Sequence, residues 1–97
     1  MSAQAHADER PTLVFFSSRR SGPARRMSSL IAWIHVTEKA RLRVLEVDAD
    51  ESKPLMDALD VETVPSLVLL DGSEVLARHE GRATGRQIER LISSHVH

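Results

Sequence analysis

Cysteine is absent from this chain of 97 residues. Its absence excludes disulfide bonds, thiolate metal sites and cysteine catalysis for these residues. Long apolar runs are absent too, since no stretch approaches the ~20 apolar residues of a membrane-spanning helix. The polar start, MSAQAHADERP, lacks the apolar segment of a secretory signal. We therefore expect a cytoplasmic location and no membrane partner.

An excess of charge of one sign is also missing. The formal net charge is −1, with 28% charged and 41% hydrophobic residues. Such a balance gives no overall nucleic-acid footprint, so any anion site must be local. The length predicts one small domain. We expect residues 1–11 to be a flexible N-terminal tail and residues 12–97 to be the folded domain.

The apolar pattern predicts alternating strands and helices. Residues 12–17 (TLVFFS) are typical of a strand buried on both faces, and a helical repeat of apolar residues follows from Pro23. The Asp71-Gly72-Ser73 segment indicates a hairpin. The order is β-α-β-α-β-β-α, which predicts an α/β fold with a four-stranded mixed sheet and helices on both faces. The predicted strands cover 12–17, 41–48, 64–70 and 74–80, and the predicted helices cover 23–40, 52–59 and 84–95.

Three segments of the chain resemble the thioredoxin family. Arg20-Ser21-Gly22-Pro23-Ala24 stands where the family has Trp-Cys-Gly-Pro-Cys, between a buried strand and a long helix. ETVPSLVLLDGSEV is similar to the family's hairpin, and Gly81 matches a glycine before the last helix. The resemblance implies a trimmed thioredoxin-like fold. It also implies a cis peptide bond between Val64 and Pro65.

The positions at which this chain departs from the family together remove the family's redox chemistry. Ser21 and Ala24 occupy the places of the two cysteines, so dithiol–disulfide exchange is chemically impossible for this chain alone. Phe15 stands at the buried aspartate, Arg20 at the tryptophan and Ser17 at another aromatic residue. We therefore expect a redox-inactive member with no catalytic residue, no cofactor and no metal, although an enzymatic role is not excluded.

The resemblance implies a binding role that does not need cysteine. Thioredoxins hold extended peptides beside the cis-proline loop, so the chain is expected to be a protein-binding or regulatory module with a protein or peptide partner. Ser21 is interpreted as a helix cap rather than a nucleophile, because the nearest histidine, His35, is several helical turns away. The expected groove residues are Arg20, Ser21, Gly22, Pro23, Ala24, Val64 and Pro65.

Two alternatives stay open. Thr63-Val64-Pro65 resembles the glutaredoxin loop that holds a thiol peptide, and some glutathione transferases use a serine near this turn. Both favour binding of a glutathione-like thiol cofactor or a thioredoxin-related oxidoreductase role. The second alternative is association with an anion or a nucleic acid through an arginine cluster at the start of the long helix. The cluster consists of Arg19, Arg20, Arg25 and Arg26.

That cluster has two interpretations. The arginines are either solvated or paired with acids such as Asp48, Asp50 and Glu62, or they bind an acidic or phosphate-bearing ligand. Trp33 is expected to pack near the apolar face of the long helix. Arg82 is expected on the solvated side of the last helix.

Overall fold

A computed structural model describes residues 10–96, and the predicted tail at 1–11 therefore lies almost entirely outside the described residues. The described part contains four strands and three α-helices in the order predicted. The strands are β1 (Thr12–Ser17), β2 (Arg43–Asp48), β3 (Ser66–Asp71) and β4 (Glu74–Glu80). The helices are α1 (Gly22–Thr37), α2 (Lys53–Ala58) and α3 (Gly85–Ser93).

The sheet is mixed, as predicted, with the strand order β2-β1-β3-β4. β1 pairs with β2 in parallel and with β3 antiparallel, and β4 pairs antiparallel with β3. The hairpin between β3 and β4 turns at Gly72, whose φ of 62° is a conformation that glycine adopts at little cost. β2 and β4 are the edges of the described sheet.

The helices cover both faces because neighbouring side chains of a strand point to opposite sides. Leu13 and Phe15 of β1 are fully buried in a cluster that includes Ile31 of α1 and Ile88 of α3. Val14 and Phe16 point the other way, into a smaller cluster with Met56 of α2. The four consecutive buried residues of β1 thus supply both layers of the core, which explains the continuous apolar run.

Several element boundaries differ by one to three residues from the sequence prediction, including the start of β2, which is Arg43 rather than residue 41, and two of the differences have a clear physical reason. α1 ends at Thr37 rather than at residue 40, because Arg41 and Leu42 donate backbone hydrogen bonds to the Glu38 carbonyl and close a turn that buries Leu42. β3 begins at Ser66 rather than at residue 64. Pro65 has no N–H to donate to a sheet ladder, so regular pairing begins after it.

Among residues 10–96, no helix is long and apolar enough to cross a membrane.

Candidate functional site at the end of the sheet

The pairing register places the predicted site segments at one end of the sheet. Phe16, near the end of β1, is opposite Ser66, the first residue of β3. Ser17 is opposite Asp48, the last residue of β2. The turn that follows β1 and the loop that precedes β3 therefore meet at the same edge. This brings the Ser21–Ala24 segment and the Val64–Pro65 bond to one side of the molecule.

Ser21 is the N-cap of α1. Its Oγ accepts a hydrogen bond from the Ala24 N–H at 3.1 Å, and its backbone is extended, with φ −98° and ψ 112°. Its own N–H donates to the Ser18 carbonyl at 3.1 Å. His35 lies near the opposite end of the helix, too far to act as a general base for Ser21. The hydroxyl is therefore a structural group, as the sequence interpretation held.

Hydrogen bonds around Ser18 fix the turn between β1 and α1. Ser18 Oγ donates to Asp50 Oδ2 at 2.9 Å, and the same oxygen accepts from the Arg20 N–H at 3.2 Å. Asp50 follows β2, so this contact ties the turn to the neighbouring strand end. The geometry of the turn therefore rests on Ser18 and Asp50 as well as on Gly22-Pro23. No sequence pattern marks Ser18 for this role.

The peptide bond between Val64 and Pro65 is cis, the geometry that the resemblance implies. Two hydrogen bonds hold the loop around it. Ser66, whose side chain is fully buried, donates from Oγ to the Thr63 carbonyl at 2.6 Å. The Gly81 N–H donates to the Pro65 carbonyl at 2.7 Å. The loop is thus anchored on both sides of Val64.

Val64 itself is left without backbone hydrogen bonds. Within residues 10–96, neither its N–H nor its C=O has a partner, although the residue is half-buried. A half-buried peptide group that lacks partners usually finds them in water or in a bound chain, because leaving it unpaired costs free energy. Val64 therefore presents one donor and one acceptor beside the Ser21–Ala24 turn.

The four arginines of the cluster are all exposed. Within the described residues, their guanidinium groups form no hydrogen bond or ion pair. Of the expected acidic partners, Asp48 accepts from the Asp50 N–H at 2.9 Å, and Asp50 accepts from Ser18. Pairing of the arginines with Asp48, Asp50 or Glu62 is thus not observed, and the cationic charge is uncompensated.

Arg26 differs in its surroundings from the other three arginines of the cluster. Arg26 folds back towards Gly22, where a Cβ atom would lie 3.5 Å from Arg26 Nη1. Together with Pro23 it lines a cavity whose other wall includes Arg82. Arg82 is exposed, as expected, but it precedes α3 rather than lying on the helix. No sequence signal marked this pair, because it depends on how α1 and α3 pack.

No cluster of three or more potential metal-ligating side chains occurs in residues 10–96.

Comparisons with known proteins fit this architecture. The thioredoxin family model matches residues 2–94. A thioredoxin-like protein of Synechocystis is 27% identical over 93 residues, covering 96% of this chain and 85% of that protein. Chloroplastic thioredoxin Y1 of Arabidopsis thaliana is 24% identical over 84 residues, covering 87% of this chain and 49% of that protein.

Solved structures give the same fold. The germline-specific thioredoxin Deadhead of Drosophila melanogaster superposes with a TM-score of 0.84 at 21% identity, covering 97% of this chain and 89% of that one. A malarial protein superposes with a TM-score of 0.79 at 21% identity, covering 89% of this chain and 97% of that one. A strand-turn-helix site facing a cis-proline loop on a mixed sheet defines a thioredoxin-like domain. This chain belongs to the thioredoxin family and, having no cysteine, lacks the dithiol.

Proposed function

We propose that this chain is a redox-inactive binding domain that holds an extended segment of a protein partner. The groove is formed by Arg20–Ala24 on one side and Val64–Pro65 on the other. The observation that carries the proposal is the unpaired backbone of Val64. A segment lying beside Val64 in extended form would satisfy its N–H and C=O as an added strand does.

The groove does not depend on the reactive sulfur atoms. Ser21 maintains the start of α1 through its cap, and the buried Ala24 fills the second position without a reactive atom. Binding and dithiol chemistry are therefore separable at this site. A domain that keeps the geometry and lacks the nucleophile is suited to holding a partner without transferring electrons to it.

The exposed arginines give the groove a preference for negative charge. Arg19 and Arg20 precede α1, and Arg25 lies in its first turns, where the positive end of the helix dipole adds to their charge. An acidic partner segment would gain charge-assisted hydrogen bonds from guanidinium groups that have no competing acid in the described chain.

Site-directed photocrosslinking tests the proposal. A benzoylphenylalanine at Arg20 should capture one protein in the native host, whereas the same group at Leu55, on α2, should not. A synthetic peptide of the captured segment should then shift the Val64 amide resonance of the purified domain. Equal capture from both positions, or peptide binding that leaves Val64 unchanged, would contradict the proposal.

Two titrations of the purified domain test the two alternative functions, thiol-cofactor binding and nucleic-acid association. Titration with glutathione reports a thiol-cofactor site if the Val64 amide shifts without any peptide. Titration with a single-stranded oligonucleotide reports nucleic-acid association if binding is steeply salt-dependent. Reduction of insulin disulfides by the purified chain would contradict redox inactivity outright.

A further inference from the structure

A second groove runs between α1 and α3. It consists of two cavities that share Leu30 as a lining residue, and we refer to them together as the α1–α3 groove. The first, of about 510 Å³, lies at the N-terminal ends of both helices and includes Arg26 and Arg82. The second, of about 260 Å³, continues along the helices to Trp33.

The two helices run in the same direction along the groove. α1 follows β1 and α3 follows β4, and these two strands are each antiparallel to β3 and hence parallel to each other. The first cavity therefore receives the N-terminal ends of both helices, which are the positive ends of their dipoles. From Pro23 to Trp33 the groove extends along α1 for roughly 15 Å, at 1.5 Å per residue.

Trp33 forms an exposed wall of the second cavity. Its side chain is 61% exposed, although it was expected to pack near the apolar face of the long helix. Leu30 and the buried Ile92 lie below it. Tryptophan is among the residues that contribute most to binding when a partner covers them. Trp33, which is exposed beside the apolar side chains of Leu30 and Ile92, is therefore suited to anchor a partner.

Gly85 leaves the second cavity open. A Cβ atom at this position would lie 3.6 Å from Leu30 Cδ1, which is an ordinary contact distance. The backbone there does not require glycine, because Gly72 and Gly81 are the glycines with positive φ among the described residues. The fold therefore accommodates alanine at residue 85, and a longer side chain there would take up space in the cavity that Gly85 lines.

Charge is distributed unevenly along the groove. Arg26 and Arg82 at the first cavity, and Arg86 at the second, form no ion pair or hydrogen bond through their guanidinium groups within residues 10–96. At the far end Glu38 and Arg41 neutralise each other in a salt bridge of 2.5 Å. The end at which both helices begin is thus cationic, and the end near Trp33 is apolar and close to neutral.

We propose that the α1–α3 groove binds a short segment of a protein partner in which two or more carboxylates stand beside a large apolar side chain. The carboxylates face Arg26 and Arg82, and the apolar side chain packs between Leu30 and Trp33. Charge complementarity selects this occupant, because the unpaired guanidinium groups of Arg26 and Arg82 and two helix N-termini converge on one end. The groove lies on the α3 side of α1 and does not use Val64.

Selection from a library of random peptides displayed on phage tests the proposal with the purified 97-residue chain. Enriched peptides should carry adjacent Asp or Glu residues and a large apolar residue. Because Trp33 is the only tryptophan of the chain, their binding should change its intrinsic fluorescence directly. Affinity should fall by about tenfold or more when Arg26 and Arg82 are both changed to glutamate.

Matched variants distinguish loss of binding because the groove is filled from loss of binding because the domain is unfolded. Gly85→Leu should abolish peptide binding by filling the cavity, whereas Gly85→Ala should bind nearly normally. Arg90→Glu, an exposed arginine of α3 that lines neither cavity, should leave affinity unchanged. Thermal unfolding of each variant verifies that the domain is folded.

Three outcomes would overturn the proposal: no enrichment of acidic peptides, enriched peptides that bind Gly85→Leu as well as the original chain, or binding insensitive to Arg26→Glu with Arg82→Glu. Peptides that shift the Val64 amide and leave Trp33 fluorescence unchanged would support the cis-proline groove instead. Each groove has its own readout, so the experiments can reject the binding proposal for one groove without rejecting it for the other.

Discussion

The N-termini of α1 and α3 are both capped by a side-chain hydroxyl, but only the cap of α3 is reciprocal. Ser21 Oγ accepts from the Ala24 N–H at 3.1 Å, and Thr84 Oγ1 accepts from the Gln87 N–H at 3.2 Å. At α3 the bond is reciprocated, because Gln87 Oε1 accepts from the Thr84 N–H at 2.8 Å. At α1 the third helical residue is alanine and cannot reciprocate.

The difference shows that the α1 start depends less on its N-cap side chain than the α3 start does, because the Ser18 turn also holds it. The Ser21 N–H donates to the Ser18 carbonyl, and Pro23 fixes φ in the first turn. α3 relies instead on its side-chain capping box. Side chains at positions 21 and 24 can therefore change without dismantling the turn, which makes the α1 start a place where chemistry can be lost while geometry is kept.

The largest expected effect comes from restoring two thiols to the α1 start. We expect the double variant Ser21→Cys with Ala24→Cys to form one intrachain disulfide. Ser21 Oγ already lies 3.1 Å from the Ala24 backbone nitrogen, so a thiol at residue 21 would lie close to one at residue 24. Mass spectrometry after oxidation should show loss of two hydrogen atoms, with no free thiol detected.

The single variants Ser21→Cys and Ala24→Cys are the controls, and each should keep one free thiol. Ala24 is fully buried, so circular dichroism of Ala24→Cys reports whether a sulfur atom fits there. A folded double variant that stays a dithiol in an oxidising glutathione buffer would show that the turn does not keep the geometry of a dithiol site.

The next largest effect is expected at α3. Thr84→Ala removes the side-chain acceptor of the capping box, and we expect the free energy of unfolding to fall by about 1.5 kcal/mol. The short α3 supplies Ile88 and Ile92 to the main core cluster, so fraying of its first turn reaches the core. Urea denaturation measures the change, and Thr84→Ser, which keeps the acceptor, should recover most of it.

Ser21→Ala should cost less, about 0.5–1 kcal/mol, since the Ser18 turn and Pro23 remain. The same denaturation experiment applies. A larger loss for Ser21→Ala than for Thr84→Ala would reverse the comparison and show that the α1 start depends on its side chain after all.

Much of the fold could be predicted from sequence because its signals are local. The buried run of β1, the Gly22-Pro23 turn and the Asp71-Gly72 hairpin each specify an element within a few residues. The spacing of Thr84 and Gln87 is likewise a local pattern, that of a capping box. Boundaries were less certain where a turn, such as the one at Glu38, returns the buried Leu42 to the core.

The features that depend on packing could not be predicted. The helical repeat that places Ile31 and Ile34 in the core does not say how far α3 covers the neighbouring side of α1. The exposure of Trp33 and the approach of Arg26 and Arg82 follow from that packing. The unpaired backbone of Val64 depends likewise on where the pairing of β3 begins.

The smallest expected effect concerns charge at a helix start compared with charge at a helix end. Arg25 lies in the first turns of α1, which contain no acid, close to three other exposed arginines. Arg90 lies in the last turn of α3. A cation is unfavourable at the positive end of a helix dipole and favourable at the negative end. The substitution Arg→Gln should therefore have opposite signs at the two positions.

We expect Arg25→Gln to raise the free energy of unfolding by about 0.3 kcal/mol and Arg90→Gln to lower it by a similar amount. For a domain of this size each change corresponds to a shift in melting temperature of about 1–2 °C. Both shifts should shrink in high salt, because these charges are exposed. A stabilising Arg25→Gln would mean that the arginine is kept at a cost to folding, as expected if a partner uses it. A destabilising result at low salt would show instead that Arg25 supports the fold and would remove this argument for a binding role.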